Sequence, residues 1–155
     1  MVLYYTYKQK TKVFAQAISE LLNLPVTELV SDINKRNAIS FIIKALALTF
    51  GKKAYPVTNM PTDLPPEIYV CSPIWGGRVA APVKYFLENN NLAQTKVNLI
   101  LTASTPTEKY KLNAIEYLRN LPSIAGDVYV FQTHDEMMPD KDVMKEQLQE
   151  LVTIE

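Results

Sequence analysis

A single cysteine, Cys71, leaves no partner for a disulfide framework and no multi-cysteine metal site. A single histidine, His134, removes Cys/His metal clusters, and no nucleophile motif accompanies it to make a histidine-based triad. Glycine is scarce, with four in 155 residues, so a glycine-lined cofactor cradle is largely missing. Charge of one sign is not in excess: Lys+Arg 16 balance Asp+Glu 16. The basic excess or basic stripe of a nucleic-acid binder is absent. Long apolar runs are absent too. The longest stretch, residues 38–50, is broken by Ser40 and Lys44 and is too short to span a bilayer. The start, Met1-Val-Leu-Tyr-Tyr, lacks the basic region of a secretory signal. The expectation is a soluble, cytoplasmic protein with neither nucleic acid nor membrane as partner.

What is present is enough apolar residue for a full core, 48% of the chain. The length suits one domain over residues 1–155. Val2 to Tyr5 is a short β-rich run. From Thr11 the pattern turns helical, with Val13, Phe14, Ala17, Ile18, Leu21 and Leu22 on one stripe. Val26 to Val30 reads as a short edge strand. Asp32 can cap a second helix, whose apolar face runs from Ile39 to Phe50 and which Gly51 stops. Residues 55–66 hold four prolines and read as an irregular connection. Further strands are expected at Ile68 to Cys71, Val97 to Leu101 and Val128 to Phe131. Further helices are expected from Val79 to Leu87, from Thr107 or Glu108 to Leu121 with Leu112, Ile115 and Leu118 inward, and from Asp140 to Val152. Strands alternating with helices imply right-handed βαβ units. The expected architecture is a three-layer α/β sandwich around a five-stranded parallel sheet.

A ligand site in such a sheet opens at the carboxyl ends of the strands. Three loops leave that edge near the centre. The first, Thr6 to Thr11, runs into a helix N-terminus, which favours an anion such as phosphate. Thr6 and Thr11 offer hydroxyls, and Lys8 and Lys10 offer charge; Thr11 also suits a helix cap. The second, Ser72 to Arg78, carries Pro73, Ile74, the only tryptophan at Trp75, then Gly76, Gly77 and Arg78. Proline fixes the chain, the glycines permit close approach and positive φ, and an indole offers a flat face to a flat ligand. The third, residues 102–107, supplies Thr102, Ala103 and Ser104, small groups able to meet a polar ring edge. Tyr7 and Tyr110 lie near loop ends. Cys71, inside an apolar run, reads as a buried structural thiol, and Asp135-Glu136 as a solvated pair.

The segment Ser72-Pro-Ile-Trp-Gly-Gly-Arg-Val-Ala-Ala-Pro-Val83, followed by Phe86-Leu-Glu88, resembles the second flavin loop and following helix of the flavodoxin-like family. The order of elements matches that family over essentially the whole chain. The resemblance implies sheet order 2-1-3-4-5 and FMN as cofactor. Thr6 to Thr11 would then hold the phosphate, Trp75 would cover one flavin face, and Thr102 to Ser104 would meet the ring's polar edge. It implies electron transfer or reduction of a small acceptor, with a redox partner protein or small molecule beyond the flavin. An enzyme of this kind would be an FMN-dependent NAD(P)H oxidoreductase. The first loop departs from the family's Ser/Thr-x-Thr-Gly-Asn-Thr: here Lys8, Gln9 and Lys10 replace the middle threonine, the glycine and the asparagine. A non-glycine residue at positive φ costs about 1 kcal/mol or more, which argues against the family's backbone nest. The alternative is therefore a flavin-free binding or scaffold module, with a partner or homodimer contact over the same edge.

Overall fold

Strict alternation along the strands decides which layer each side chain joins. In the computed structural model, residues 1–31, 56–133 and 146 are described. Val2 and Tyr4 point to one side of strand β1 (Val2–Tyr4), whereas Leu3 and the following Tyr5 point to the other. Helix α1 (Lys10–Leu22) covers the first side, burying Phe14, Ala17 and Ile18 against Val2, Tyr4, Cys71, Ile100 and Phe131. Strand β2 (Val26–Glu28) follows at the sheet edge. The remaining elements are β3 (Glu67–Trp75), β4 (Arg78–Val79), α2 (Ala81–Asn89), β5 (Lys96–Ala103), α3 (Glu108–Arg119) and β6 (Ile124–Gln132). Helices α2 and α3 cover the second side, with Val83, Phe86, Leu87, Ala114 and Leu118 packed on Leu3, Val70, Leu99 and Val128. Full burial of each such aliphatic or aromatic side chain is worth about 1.5–3 kcal/mol.

The path across the sheet is β2-β1-β3-β5-β6, all parallel, with the short β4 paired antiparallel to the end of β3. Setting β4 aside, that is the order 2-1-3-4-5 expected from the sequence. The strands β3, β5 and β6 each run longer than the sequence suggests. The expected helix at residues 32–50 lies outside the described residues, as do His134, Asp135-Glu136 and all of the expected helix at 140–152 except Glu146, which is helical and exposed.

The region expected as an open loop at residues 72–78 is instead strand and hairpin. β3 continues through Pro73 to Trp75. Proline normally interrupts a central strand because it has no N–H to donate. Here the Tyr5 amide donates to the Cys71 carbonyl at 3.1 Å, the last bond from that side. Alternation turns the Pro73 nitrogen toward the same side, past the end of β1, so no ladder bond is lost. Trp75 pairs with Arg78, and Gly76 (φ 55°) and Gly77 (φ 78°) make the two-residue turn between them. Positive φ at both central positions is the type I′ geometry, which glycine accepts without steric cost. The helix after it consequently begins at Ala81 rather than Val79, because Val79 is spent in β4. Ser72 braces this corner: its Oγ donates to the Pro73 carbonyl at 2.9 Å and accepts from the Ala80 amide at 3.0 Å.

Leu112, expected inward, is 57% exposed. Leu118, also expected inward, is buried, and Ala114 rather than Leu112 joins it on the inner stripe of α3.

Candidate functional site

Three strands, β1, β3 and β5, end side by side, and the loops beyond them enclose a recess of about 220 Å³. Its lining gathers Thr6, Lys8, Lys10 and Thr11 from the first loop, Pro73, Ile74 and Trp75 from the end of β3, and Thr102, Ala103 and Ser104 from the end of β5. The sequence singled out each of these. Tyr7 and Thr133 join them. Thr133 carried no sequence signal; it arrives because its amide donates to the Ala103 carbonyl at 2.8 Å, extending the β5–β6 pairing past the last strand residue.

A larger cleft of about 630 Å³ adjoins the recess and shares Ile74, Ala103 and Ser104 as a common wall. Gly76 and Gly77 line this cleft rather than the recess, facing Thr105, Thr107, Lys109, Tyr110 and Asn113. Asn113 is the residue here that sequence reading missed. A polar side chain in the middle of an amphipathic helix gives no local sign that it reaches across to another loop. Arg78 is not brought to either space; it lines a separate groove of about 260 Å³ with Lys84, Glu116 and Tyr117.

The first loop enters α1 in an unusual way. Gln9 stands immediately before the helix at φ 62°, ψ −7°, in the left-handed region, and Lys10 begins the helix. A left-handed residue followed by a right-handed one turns successive backbone N–H groups toward a common point, the concavity that binds anions. Gln9 thus takes the positive φ that a glycine would have supplied here, and carries the strain itself. Thr11 does not cap the helix. It lies in the first turn, buried, with its Oγ1 2.9 Å from Thr102 Oγ1.

Trp75 is half-buried, and its ring meets that of Tyr5 edge-on, with centroids 5.5 Å apart and planes at 88°. The indole is a wall of the recess, braced from within by a fully buried tyrosine whose hydroxyl burial holds in its neutral form. The ends of the third loop are tied down as well: Gln132 Nε2 donates to the Ser104 carbonyl at 3.1 Å.

Lysine is the sole charged residue type along the recess and the cleft: Lys8 and Lys10 in one, Lys109 in the other, with no carboxylate among the lining residues described. Cys71, one residue below the site on β3, is fully buried, and burial pushes its thiol pKa up, so it is no nucleophile here. No group of three or more metal-ligating side chains occurs among the described residues. No helix among them is long and apolar enough to cross a membrane.

Neither a protein-family model nor a curated protein sequence matches the chain. Solved structures do. A candidate flavoprotein from Bacteroides uniformis superposes with TM-score 0.77 at 18% identity, covering 96% of each chain. A flavoprotein in complex with FMN from Lactobacillus acidophilus gives TM-score 0.62 at 21% identity, covering 83% of this chain and 90% of the other. The flavodoxin of a pneumococcal Streptococcus gives 0.50 at 13% identity over 97% of each.

Proposed function

We propose that this chain, whose fold is flavodoxin-like, is a flavoprotein that binds FMN at the carboxyl edge of its sheet and serves in electron transfer or in reduction of a small acceptor. The observation that carries this reading is the strained, left-handed Gln9 at the entry to α1, beside a recess that adjoins a larger cleft lined by Tyr110 and small residues. A non-glycine residue held in the left-handed region costs about 1–2 kcal/mol and persists where the surroundings impose it, as at ligand sites. The residues present suit the cofactor. The nest amides with Lys8 and Lys10 would take the phosphate. Trp75, Ile74 and the Gly76–Gly77 turn would bound the ring system, and Ala103 and Ser104 its polar edge.

Bound flavin would supply the redox chemistry itself. The protein's part is to hold the phosphate, exclude water from the inner wall through Trp75 and Tyr5, and leave the outer cleft open. The flavin-free alternative draws on the small size of the recess, which by itself falls below the roughly 300–1,000 Å³ of ligand pockets. The 630 Å³ cleft that adjoins the recess offers the further volume a ring system would need. The FMN complex of the Lactobacillus structure adds support at the level of fold.

The test is a titration of the purified protein with FMN, followed by Trp75 emission and by the flavin's visible absorption. Saturable quenching of the only tryptophan, with a shifted flavin spectrum, is expected. A colourless protein whose emission FMN leaves untouched would sink the proposal.

A further inference from the structure

We propose that Asn113 is a positioning residue for the ring-binding cleft, locking the Gly76–Gly77 turn to α3 and thereby setting the cleft's width; the proposal rests on the flavin reading above. The Asn113 Nδ2 donates to the Gly77 carbonyl at 3.1 Å, across 36 residues of sequence. Tyr110, one helical turn earlier on the same face of α3, lies beside the same glycine. A Cβ built at Gly77 would lie 3.3 Å from Tyr110 Cε1. Gly77 is thus held by one hydrogen bond from α3, with a ring of the same helix filling the space a side chain there would need.

The turn needs such an external hold. Two adjacent glycines have no side chains to pack, and their backbone is the freest in the chain. The ladder between β3 and β4 is only two residue pairs long, Ile74 with Val79 and Trp75 with Arg78. The turn lines the 630 Å³ cleft together with Lys109, Tyr110 and Asn113 of α3. Asn113 also lines the 260 Å³ groove on the far side, so it sits on the ridge that separates the two spaces. A bond from that ridge to the turn fixes where the turn sits against α3, and so the shape of the cleft they line. A ligand entering a fixed cleft does not have to order the turn, and preorganisation of this kind raises affinity.

Two consequences separate positioning from mere support. The clamp acts at the ring end of the site, so its loss weakens FMN and riboflavin by the same factor. It also acts without ligand, so its loss frees the turn in the unliganded protein. The experiment uses Asn113→Asp, which keeps the shape but replaces the donor by an acceptor, and Asn113→Leu, with Asn113→Gln as the donor-retaining control. FMN and riboflavin are titrated by Trp75 fluorescence, and amide hydrogen exchange at Gly77 and Arg78 is measured without flavin. Asp and Leu are expected to weaken both flavins about fivefold, the loss of one neutral hydrogen bond, and to speed exchange at the turn. Gln recovers part of each effect. Unchanged exchange and unchanged affinity in Asn113→Asp overturn the proposal, as does a lowered Tm with affinity intact, or a loss confined to FMN. Wild-type protein that binds neither flavin overturns the reading beneath it, and the exchange data then show separately whether the clamp exists. If the leucine variant does not fold, the aspartate variant decides.

Discussion

Thr11 Oγ1 and Thr102 Oγ1 lie 2.9 Å apart, a buried bond that joins the first turn of α1 to the carboxyl end of β5. Both residues are nearly inaccessible, at 2% and 4%. Thr102 Oγ1 also reaches the Ser72 carbonyl at 3.5 Å, so the first turn of α1 and the ends of β5 and β3 are linked through two hydroxyls. Removing one hydroxyl leaves the other buried with a poorer partner, which costs about 1–3 kcal/mol. Thr11→Val and Thr102→Val should each destabilise by about that amount. The double variant should cost clearly less than the sum, because the second substitution removes the group stranded by the first. Urea unfolding of the four proteins measures the coupling, and strict additivity would show that the bond contributes nothing.

Gln9 offers an opposite sign. Its φ of 62° is one that glycine adopts freely. Gln9→Gly relieves about 1–2 kcal/mol of strain but gives the unfolded chain more freedom, worth about 0.4–1 kcal/mol. The net expectation is a stabilisation of up to about 1 kcal/mol with FMN binding retained. Gln9→Val, β-branched, should destabilise and weaken FMN together. A Gln9→Gly variant that is markedly less stable than the parent would mean that the glutamine side chain, not the backbone, matters at this position.

The comparison of Gln9 with Trp75 shows what the sequence could and could not disclose. The strand–helix alternation made the layer order and the edge of the sheet readable, and the recess is lined by the loop residues singled out from it. Gln9 was misjudged because propensity weighs one residue at a time, whereas its conformation is imposed by the helix and the strand on either side. Trp75 was placed on a loop because proline and two glycines flank it; the strand end that spares Pro73 a lost bond is visible only once β1 is seen to stop at Tyr4. Leu112 fits the 3.6-residue period of α3 nearly as well as its neighbours, and only the position of β6 selects Ala114 and Leu118 as the inner stripe. Asn113 and Thr133 act through contacts with residues far along the chain, for which a single sequence carries no trace.

Gly126 is expected to be the least replaceable glycine. It lies at an irregularity in the β5–β6 ladder, where Val97 pairs with Ala125 but Leu99 pairs with Val128. Asn98 fills the extra space, accepting from the Asp127 amide at 2.9 Å and donating to Glu67 Oε1 at 2.9 Å. A Cβ on Gly126 would overlap the Asn98 side-chain oxygen and sit 2.7 Å from the Val97 carbonyl. The side chain can shift only by giving up its bonds, and the carbonyl belongs to a buried strand. Gly126→Ala should therefore cost about 1–3 kcal/mol, by overpacking alone at the low end and with the Asn98 bonds lost at the high end. Thermal or urea unfolding measures it; a cost under a few tenths of a kcal/mol would show that the bulge relaxes freely.

Glu67 gives the pH dependence a definite sign. Burial alone would raise its pKa, but the hydrogen bonds from Asn98 and Lys96 and the charge of Lys96, 3.1 Å away, outweigh that and hold it below its usual 4.5. A depressed carboxylate contributes stability that is complete above pH 4.5 and is lost as pH falls through the folded value. Lys96 is shifted the other way, above 10.5, chiefly by its bond to Glu67, so its contribution is complete below 10.5 and is lost as pH rises through the folded value. Both side chains are more than two-fifths exposed, so solvent screening keeps the pair under about 1 kcal/mol. Glu67→Gln should be slightly less stable than the parent at neutral pH, with the gap closing toward pH 3. A gap that stays constant across that range would remove the carboxylate from the acid limb.

Lys8 and Lys10 set the last expectation, which concerns which end of the flavin they serve. Both line the recess beside the Gln9 nest, and the ring-bounding residues Gly76, Gly77 and Tyr110 lie in the adjoining cleft. FMN and riboflavin differ only by the phosphate, so a phosphate-end lysine changes the ratio of the two affinities rather than both alike. Lys8 is exposed, and an exposed charge pair is worth up to about 1 kcal/mol, roughly a fivefold effect. The double variant Lys8→Ala/Lys10→Ala should then bind FMN about tenfold more weakly while leaving riboflavin within twofold. Raising the salt to about 1 M, where the Debye length shrinks to about 3 Å, should bring parent and variant together. An equal loss for both flavins would place the lysines at the ring instead, and no loss for either would mean that the nest amides hold the phosphate unaided.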